Sequence, residues 1–327
     1  MTTQKTALIL GASGGIGGAI AAALLRHGWR VRGMARTIPT GSSTAGIEWV
    51  KGDAMNRADV VQAAAGVSTI VHAVNPPGYR NWDKVVLPMI DNTIAAARAA
   101  GGARVVLPGT IYNFDPARTP LIGATSPQQP HSRKGAIRVA MEKRLEDAAP
   151  EVPSLILRAG DFFGPGARSS WFAQGMVTPG KPLTRLVNPA RSPGHSWAYL
   201  PDLAETFARL MDAEDRLLPF ERVQFEGNYD ATGTMIIDAV QRVAGRRLPV
   251  WRFPWWAMHL LSPFGGFPRE AAEIAQYWSH PLKLDNRRLV ELVGPELRTP
   301  IDQAVRASLV SLGCMEPEPK LLAARVA

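Results

Sequence analysis

A short apolar run near the start of the chain breaks into four glycines within seven residues and continues as an alanine-rich stretch, TALILGASGGIGGAIAAALL. The pattern predicts a strand, a tight turn and the start of a helix. Gly11 permits the turn, and Gly17 lets the helix pack closely on the strand. Gly14 and Gly15 leave room for a pyrophosphate, which the free N–H groups of the helix N-terminus would face. The sequence therefore predicts a dinucleotide site at this turn.

The same residues admit two other interpretations. GASGG fits the Gly-x-Ser-x-Gly turn of a nucleophilic serine, but that turn normally follows several strands, and Ser13 has only twelve residues before it. Residues 7–25 carry no charge, so a hydropathy window could take them for a membrane span or a signal sequence. Their glycines make a poor span, and no cleavage-site pattern follows. We therefore favour the nucleotide and expect no membrane partner.

Composition narrows the class of protein. The chain has 327 residues, of which 46% are hydrophobic and 20% charged, the balance of a globular protein. The single cysteine excludes an internal disulfide, and the six histidines lack a metal-ligand spacing, so we expect no metal and a reducing cytoplasm. The net charge of +9 is spread along the chain without a recognition motif. A positive field that attracts an anionic cofactor or substrate explains this charge as well as nucleic-acid binding does, and a generally basic proteome explains it better, so we expect no nucleic-acid partner.

Five further apolar segments alternate with helical stretches. The predicted strands are 30–35, 47–51, 69–74, 103–107 and 154–159, and the predicted helices are 57–65, 82–100 and 133–148. This alternation indicates an α/β fold with a doubly wound parallel sheet, a Rossmann fold, in which ligands bind at the carboxyl ends of the strands. From Gly164 onward the composition changes to proline, glycine and aromatic residues, which fits a smaller second lobe.

The end of the second predicted strand distinguishes the two nicotinamide cofactors. An acidic side chain there binds the ribose 2′-hydroxyl of NAD, whereas an arginine accommodates the 2′-phosphate of NADP. The chain has Met34, Ala35 and Arg36 at this place. Arg36, together with Ser13, therefore favours NADP over NAD, the alternative being a solvated loop arginine. Asp53, after the third strand, would accept the amino group of the adenine.

The ordered series of motifs resembles the extended short-chain dehydrogenases/reductases, the family that includes the sugar-nucleotide epimerases and dehydratases. Beyond the glycine turn, the matching segments are Gly52-Asp53, VHAVNP, LRAGDFFGPG at 157–166, HSWAYLPDLAETF at 195–207, HPLKLDNRRLVELVG at 280–294 and the closing RTPIDQAVRASL. The resemblance runs over almost the whole length. It implies a Rossmann domain over 1–165, completed by a strand near 222–226, and a small substrate lobe formed mainly by 166–327 and interleaved with that domain.

The predicted cofactor contacts lie at the glycine turn, after the next strands and on the helix at 133–148. They are Gly11, Ser13, Gly14, Gly15, Ile16, Gly17, Arg36, Asp53, Ala54, Ala73, Val74 and Arg138. The resemblance also implies dimers, because relatives often pair through the helices that match 82–100 and 133–148.

Members of that family use a Tyr-x-x-x-Lys pair on the helix after the fifth strand, with a Ser or Thr at the end of that strand. Glu142 matches a glutamate often found four residues after the lysine, which places Lys134 at the tyrosine position and Arg138 at the lysine position. Pro108 stands near the expected hydroxyl residue, and Thr110 follows two residues later. All three expected catalytic groups therefore differ.

Two residues are candidate proton donors. Lys134 could replace the tyrosine because Arg138, one helical turn away, disfavours its charged form; the alternative is that Lys134 lies on a solvated helix face. The resemblance implies that Thr110 and Tyr112 line the substrate pocket, since family members have a tyrosine near here. Arg138 would hold a ribose or an anionic substrate.

Two functions from different classes remain open. The first is an NADP-binding oxidoreductase or epimerase/dehydratase-like enzyme that acts on a small polar or sugar-like carbonyl or alcohol. The second is an NADP-binding redox sensor or regulatory module without turnover, which the altered catalytic pair supports.

Several other groups are expected to be structural. Weaker candidates for the site are His131, Asp161, His195 and Tyr199, since a lone histidine or an aspartate after a strand is more often a satisfied structural group. The aromatic run VWRFPWWAMHLLSPFGGF at 250–267 is predicted to pack within the lobe. Its alternative role is to cover the substrate pocket or an interface.

Overall fold

A computed structural model describes residues 4–39, 45–76 and 82–317. The strands are β1 (Thr6–Leu10), β2 (Arg30–Ala35), β3 (Ile47–Lys51), β4 (Thr69–His72), β5 (Arg104–Gly109), β6 (Leu121–Ile122), β7 (Ser154–Arg158), β8 (Asp161–Phe163), β9 (Leu186–Asn188), β10 (His195–Tyr199), β11 (Phe220–Gln224), β12 (Asn228–Asp230), β13 (Val250–Arg252) and β14 (Lys283–Leu284). The helices are α1 (Gly15–Arg26), α2 (Arg57–Ala63), α3 (Trp82–Ala99), α4 (Arg133–Ala148), α5 (Leu200–Asp212), α6 (Met235–Ala244), α7 (Trp255–Leu261), α8 (Gly266–Ile274), α9 (Arg287–Val293) and α10 (Ile301–Ser311). In these described ranges, no helix combines the length and the apolar character that crossing a membrane requires.

Seven parallel strands form the central sheet, in the order β11-β7-β5-β4-β1-β2-β3. Strand β1 lies between β2 and β4, so the chain progresses in opposite directions across the sheet on its two sides. This switch point is where open α/β sheets bind ligands, at the carboxyl ends of the strands. The predicted doubly wound parallel sheet is confirmed.

The ends of two strands differ by two residues from the predictions, and β7 ends one residue early, at Arg158. Strand β4 ends at His72 rather than Val74, because its partner β1 turns away after Leu10. The N–H of Ala73 still donates to the carbonyl of Leu10 at 2.9 Å, and Val74 lies beyond the paired region. Strand β5 runs two residues further than predicted, to Gly109, because β7 continues to pair with it there.

Helices cover both faces of the sheet. Alternate residues of β1 point to opposite faces, so Ala7 and Ile9 belong to one apolar cluster and Leu8 to the other. Helices α1, α5 and α9 contribute to the first cluster, and α2, α3 and α4 to the second. Two helices that follow residue 166, α5 and α9, thus pack with the Rossmann layer. The division of the chain at residue 165 stays a prediction.

A third apolar cluster forms the core of the lobe. It contains Trp197 of β10, Trp255 of α7 and Trp278, together with residues from α6, α8 and α10. The Trp171 ring contacts the Trp255 and Trp278 rings at centroid distances of 5.4 and 5.3 Å. The aromatic run at 250–267 packs into this core only in part, because Trp256 and others of its side chains are exposed.

Candidate cofactor and substrate site

The glycine turn joins β1 to α1 and packs against the end of β4. Gly11 has φ +90°, in the left-handed region that favours glycine. A Cβ on Gly11 would lie 2.6 Å from the carbonyl oxygen of Ala73. A Cβ on Gly17 would lie 2.2 Å from the carbonyl oxygen of Gly11. Because any side chain would collide with backbone at both places, the tight turn requires both glycines.

The outer side of this turn is open. Ser13 and Gly14 are exposed immediately before α1. Gly14 is the N-cap residue, so no side chain at that position covers the start of the helix. A Cβ on Gly14 would have only the carbonyl oxygen of Gly11 within 4 Å, at 3.3 Å. The first-turn amides of Gly15, Ile16 and Gly17 have no acceptor within the helix. This surface fits a pyrophosphate, which binds free amides at a helix N-terminus.

Gly15 is required for a reason that the sequence analysis does not give. A Cβ there would lie 2.6 Å from the carbonyl oxygen of Gly166, so Gly15 makes room for the protein's own backbone. Gly166 ends the LRAGDFFGPG motif and has φ +84°. The motif therefore forms a wall beside the glycine turn. Contact of Gly15 with a cofactor stays a prediction.

Arg36 lies at the same edge of the sheet as the glycine turn. It follows β2 directly, and the register pairs Met34 of β2 with Leu10 of β1, the residue before Gly11. Arg36 is exposed, and it forms no hydrogen bond or ion pair with another residue of the described ranges. Its guanidinium is thus available to an anionic ligand near the turn.

Asp53 and Ala54 follow β3. One oxygen of the Asp53 carboxylate accepts the N–H of Met55 at 3.0 Å, and the N–H of Asp53 donates to Asp59 at 2.9 Å. Ala54 is buried, and its carbonyl accepts from the side-chain amide of Asn92 at 2.9 Å. These bonds fix the backbone after β3, and contact of Asp53 with adenine stays a prediction.

Lys134 is buried against the lobe rather than on a solvated helix face. Its ammonium pairs with the carboxylates of Glu270 and Glu273, the latter at 2.9 Å. The other oxygen of Glu273 accepts the backbone N–H of Lys134 at 2.8 Å. Two carboxylates therefore offset the repulsion from Arg138 on which the proton-donor argument depended. The solvated-face alternative is wrong, and a catalytic role for Lys134 stays a prediction.

Arg138 lies one turn further along α4, close to the end of β4. Its guanidinium stacks over the ring of Trp82 at 4.9 Å, and Nη1 contacts the sulfur of Met141 at 3.7 Å. Its positive charge also acts on buried His72, the last residue of β4. Arg138 and the predicted cofactor contacts Ala73 and Val74 thus lie in the same region of the fold.

His72 is held neutral beside this region. Burial, and then the charge of Arg138, lower the pKa of His72 to about 3. Its Nδ1 lies 2.7 Å from the hydroxyl of Thr93, and that hydroxyl donates to the carbonyl of Met89 at 3.0 Å. Because the hydroxyl proton is already used, Nδ1 must be the donor, which fixes the tautomer. Sequence reasoning gave His72 no role.

The loop after β5 lies directly on the start of α4. A Cβ on Gly135 would lie 2.1 Å from the carbonyl oxygen of Tyr112. The N–H of Tyr112 donates to the hydroxyl of Thr110 at 3.2 Å. From the lobe, the Tyr277 hydroxyl donates to the carbonyls of Tyr112 and Phe114 at 3.1 and 2.9 Å. The structure thus brings Thr110, Tyr112 and the start of α4 together under the lobe.

Glu142, which anchored the assignment of Lys134, lies in a buried network. Its carboxylate forms an ion pair with Arg158 of β7. It also accepts from the amides of Asn113 and Gln128 at 3.0 and 2.6 Å. The network ties α4 to β7 and to the loop after β5, so Glu142 has a structural role.

Comparison with known proteins identifies the part of the chain that carries the glycine turn. Residues 11–145 match the model of a family described as NAD(P)H-binding. This part of the chain is therefore similar to an NAD(P)H-binding domain, and we refer to residues 11–145 by that name. Its matched range includes every predicted contact described above, from Gly11 to Arg138.

Solved structures share the fold of the whole chain at low sequence identity. MoeE5 in complex with UDP-glucose and NAD is 18% identical, with a TM-score of 0.71 over 94% of this chain and 98% of its own. UDP-glucuronic acid 4-epimerase from Bacillus cereus in complex with NAD is 14% identical, with a TM-score of 0.72 over 94% and 98%. UDP-glucose 4-epimerase from Bifidobacterium longum in complex with NAD+ and UDP is 14% identical, with a TM-score of 0.71 over 95% and 98%. No curated protein matches the chain. The resemblance to the epimerases is confirmed for the fold and the NAD(P)H-binding domain.

Sequence reasoning missed the contacts that join this domain to the lobe. Nothing in the sequence connects Glu270 and Glu273 with Lys134, which precedes them by more than a hundred residues. Sequence reasoning also considered Asp161 and His195 as separate residues rather than as a pair. The ring of His195 is stacked on Trp278 at 3.9 Å, and its Nε2 lies 2.8 Å from the Asp161 carboxylate. This pair is largely buried, as the expected structural role requires.

Proposed function

We propose that the chain is an NADP-dependent oxidoreductase or epimerase/dehydratase-like enzyme for a small polar or sugar-like carbonyl or alcohol. The observation that supports NADP is the exposed Arg36 beside the open glycine turn, with no carboxylate at the end of β2. When bound, NADP(H) supplies or accepts a hydride. The solved neighbours named above are complexes with NAD, so the preference for the phosphorylated cofactor rests on Arg36.

Three parts of the NAD(P)H-binding domain would hold this cofactor. The amides at the start of α1 bind the pyrophosphate, and Ser13 with Arg36 binds the 2′-phosphate. Arg138 binds the nicotinamide ribose or an anionic group of the substrate, since a guanidinium offers five N–H donors and a positive charge. Trp82 keeps the Arg138 guanidinium in one orientation by stacking on it.

We assign the proton transfer to Tyr112 rather than to Lys134. Reduction of a carbonyl needs one proton at the oxygen, and the reverse reaction needs the same group to accept it. Lys134 is buried and paired with two carboxylates of the lobe, which suits a structural residue. Tyr112 lies on the loop that Gly135 allows to approach α4, and Thr110 orients the Tyr112 backbone.

The cofactor preference is tested by titrating the purified protein with NADPH and with NADH. We expect tighter binding of NADPH, and a loss of roughly tenfold or more for Arg36→Ala, the worth of a charge-assisted hydrogen bond. Binding of NADH should hardly change in that variant. The matched control is Arg30→Ala, an exposed arginine at the opposite end of β2. Equal or tighter binding of NADH by the wild type would contradict the proposal.

The catalytic assignment is tested by oxidation of NADPH in a screen of carbonyl substrates. We expect Tyr112→Phe to lower kcat by about a hundredfold or more, the usual effect of removing a general acid. Lys134→Met should lower activity only in proportion to any loss of folded protein. Unchanged activity in Tyr112→Phe would show that another group supplies the proton.

The second candidate function is a cofactor-binding sensor without turnover. The ion pairs of Lys134 favour a sensor. The resemblance implies a catalytic tyrosine at this position, and the lysine found there instead forms a structural contact with the lobe. A sensor would bind NADPH with the same dependence on Arg36 but oxidise none in the presence of any substrate in the screen.

A further inference from the structure

Exposed apolar side chains are concentrated on one segment of the lobe. Of thirteen large apolar residues that are exposed in the described part of the chain, seven fall within residues 250–267. They are Val250, Trp251, Trp256, Leu260, Leu261, Phe264 and Phe267. Phe264 is 86% exposed, Trp256 73% and Leu260 67%. Single exposed apolar residues are ordinary, but such a concentration indicates a contact surface. We call these seven residues the apolar patch.

The fold holds these side chains outward. Trp255 of α7 is buried in the lobe core, and its indole N–H donates to the carbonyl of Pro189 at 2.8 Å. Trp256 therefore points away from the core, and Leu260 lies one helical turn further on the same side. Phe264 follows in the next short turn, Ser262–Phe264. The anchored Trp255 prevents α7 from rotating to bury its exposed face.

The rim of the apolar patch is cationic. The 24 residues from 246 to 269 contain four arginines and one histidine but no aspartate or glutamate. The guanidinium of Arg269 donates to the carbonyls of Ser262 and Pro263 at 3.3 and 3.1 Å, beside Phe264. The guanidinium of Arg185 lies 4.6 Å from the ring of Trp251, next to exposed Arg252. Arginines thus lie beside the aromatic side chains at both ends of this segment.

We propose that the apolar patch docks on the surface of an anionic phospholipid bilayer. Tryptophan, phenylalanine and leucine insert at the boundary between headgroups and acyl chains, and arginines bind the lipid phosphates. A second copy of the chain is a poorer occupant, because a symmetric contact would bring the two sets of arginines face to face. This surface attachment departs from the sequence-based expectation of no membrane partner, which considers only a span within residues 7–25. The proposal does not depend on the identity of the cofactor or substrate.

The test is flotation of the full chain with vesicles of phosphatidylcholine alone and of phosphatidylcholine mixed equally with phosphatidylglycerol. We expect binding to the mixed vesicles, little binding to the neutral ones, and weaker binding at high salt. Trp256→Ser combined with Phe264→Ser should reduce the bound fraction by roughly tenfold or more, since each ring loses its apolar burial. Arg252→Ser combined with Arg269→Ser should weaken the preference for anionic vesicles.

The matched control is Leu121→Ser combined with Leu218→Ser, two comparably exposed leucines outside the apolar patch, at 52% and 55% exposure. This variant should bind the vesicles like the wild type. Thermal unfolding of every variant checks that the fold is intact. Failure of the wild type to bind mixed vesicles, or unchanged binding by the Trp256 and Phe264 variant, would overturn the proposal. A lipid-free dimer that depends on Trp256, without vesicle binding, would overturn it in favour of a second copy.

Discussion

Glu273 holds Lys134 at two points at once, with one oxygen on the backbone N–H at 2.8 Å and the other on the ammonium at 2.9 Å. Because α4 begins at Arg133, this N–H belongs to the first turn, where amides have no acceptor within the helix. A carboxylate at a helix N-terminus is also favoured by the helix dipole. The lobe thus caps a helix of the NAD(P)H-binding domain at the position where the resemblance implies the catalytic tyrosine.

Loss of this contact should destabilise the protein. We expect Lys134→Met to lower the free energy of unfolding by about 2–4 kcal/mol, because Glu270 and Glu273 lose their shared cation while partly buried. Urea denaturation measures the change. The control is Lys143→Met on the same helix, whose exposed ion pairs should contribute far less. Wild-type stability in Lys134→Met, combined with lost turnover, would instead make Lys134 a catalytic residue.

The neutral His72 should make the free energy of unfolding decrease at acidic pH. Its pKa is about 3 in the folded protein and near 6.5 when unfolded, so between these values the unfolded state binds more protons. The free energy of unfolding therefore decreases as the pH falls below 6.5, by about 2 kcal/mol between pH 6.5 and 4.5 from this residue alone.

Denaturation of wild type and His72→Gln at several pH values isolates this contribution. Glutamine retains a donor for Thr93 but does not titrate, so the variant should lose less stability on acidification than the wild type. His259→Gln, at an exposed position, should follow the wild type. If the free energy of unfolding depends on pH in the same way for wild type and His72→Gln, His72 does not remain neutral in the folded protein.

The sheet was predictable because its signals are local. The apolar runs gave six strands, and the four glycines located the turn, since Gly11 and Gly17 satisfy constraints within the first strand, turn and helix. The contact between Gly15 and Gly166 was not predictable, because the two residues lie more than a hundred positions apart in the sequence. Local patterns cannot reveal which distant backbone fills the space a glycine leaves.

The candidate site was less predictable for the same reason. A lysine on a polar helix face has the same local sequence whether it is solvated or paired, and only the position of α8 decides that Lys134 is buried. In the aromatic run at 250–267, neighbouring residues differ in whether they are buried or exposed. Trp255 is 5% exposed and Trp256 73%, a difference set by which side of α7 meets the lobe core.

The two glycines of the turn should respond differently to alanine. Gly17→Ala places a methyl group 2.2 Å from the carbonyl of Gly11, so we expect lost NADPH binding and about 1–3 kcal/mol less stability. Gly14→Ala has its nearest neighbour at 3.3 Å and should weaken binding with a smaller loss of stability. Isothermal titration and urea denaturation measure both effects. Full NADPH binding by Gly17→Ala would contradict the assigned site.

The Tyr277 hydroxyl should support both the stability and the activity of the site. Burial raises the pKa of Tyr277, and its hydroxyl donates to the carbonyls of Tyr112 and Phe114. Tyr277→Phe leaves these carbonyls without that donor, so we expect about 1–3 kcal/mol less stability in urea denaturation. Because the loop that carries Tyr112 loosens, kcat should fall more than KM rises. The control is Tyr229→Phe in the lobe. If Tyr277→Phe keeps the wild-type kcat, the lobe does not position Tyr112, and its contact with this loop serves stability alone.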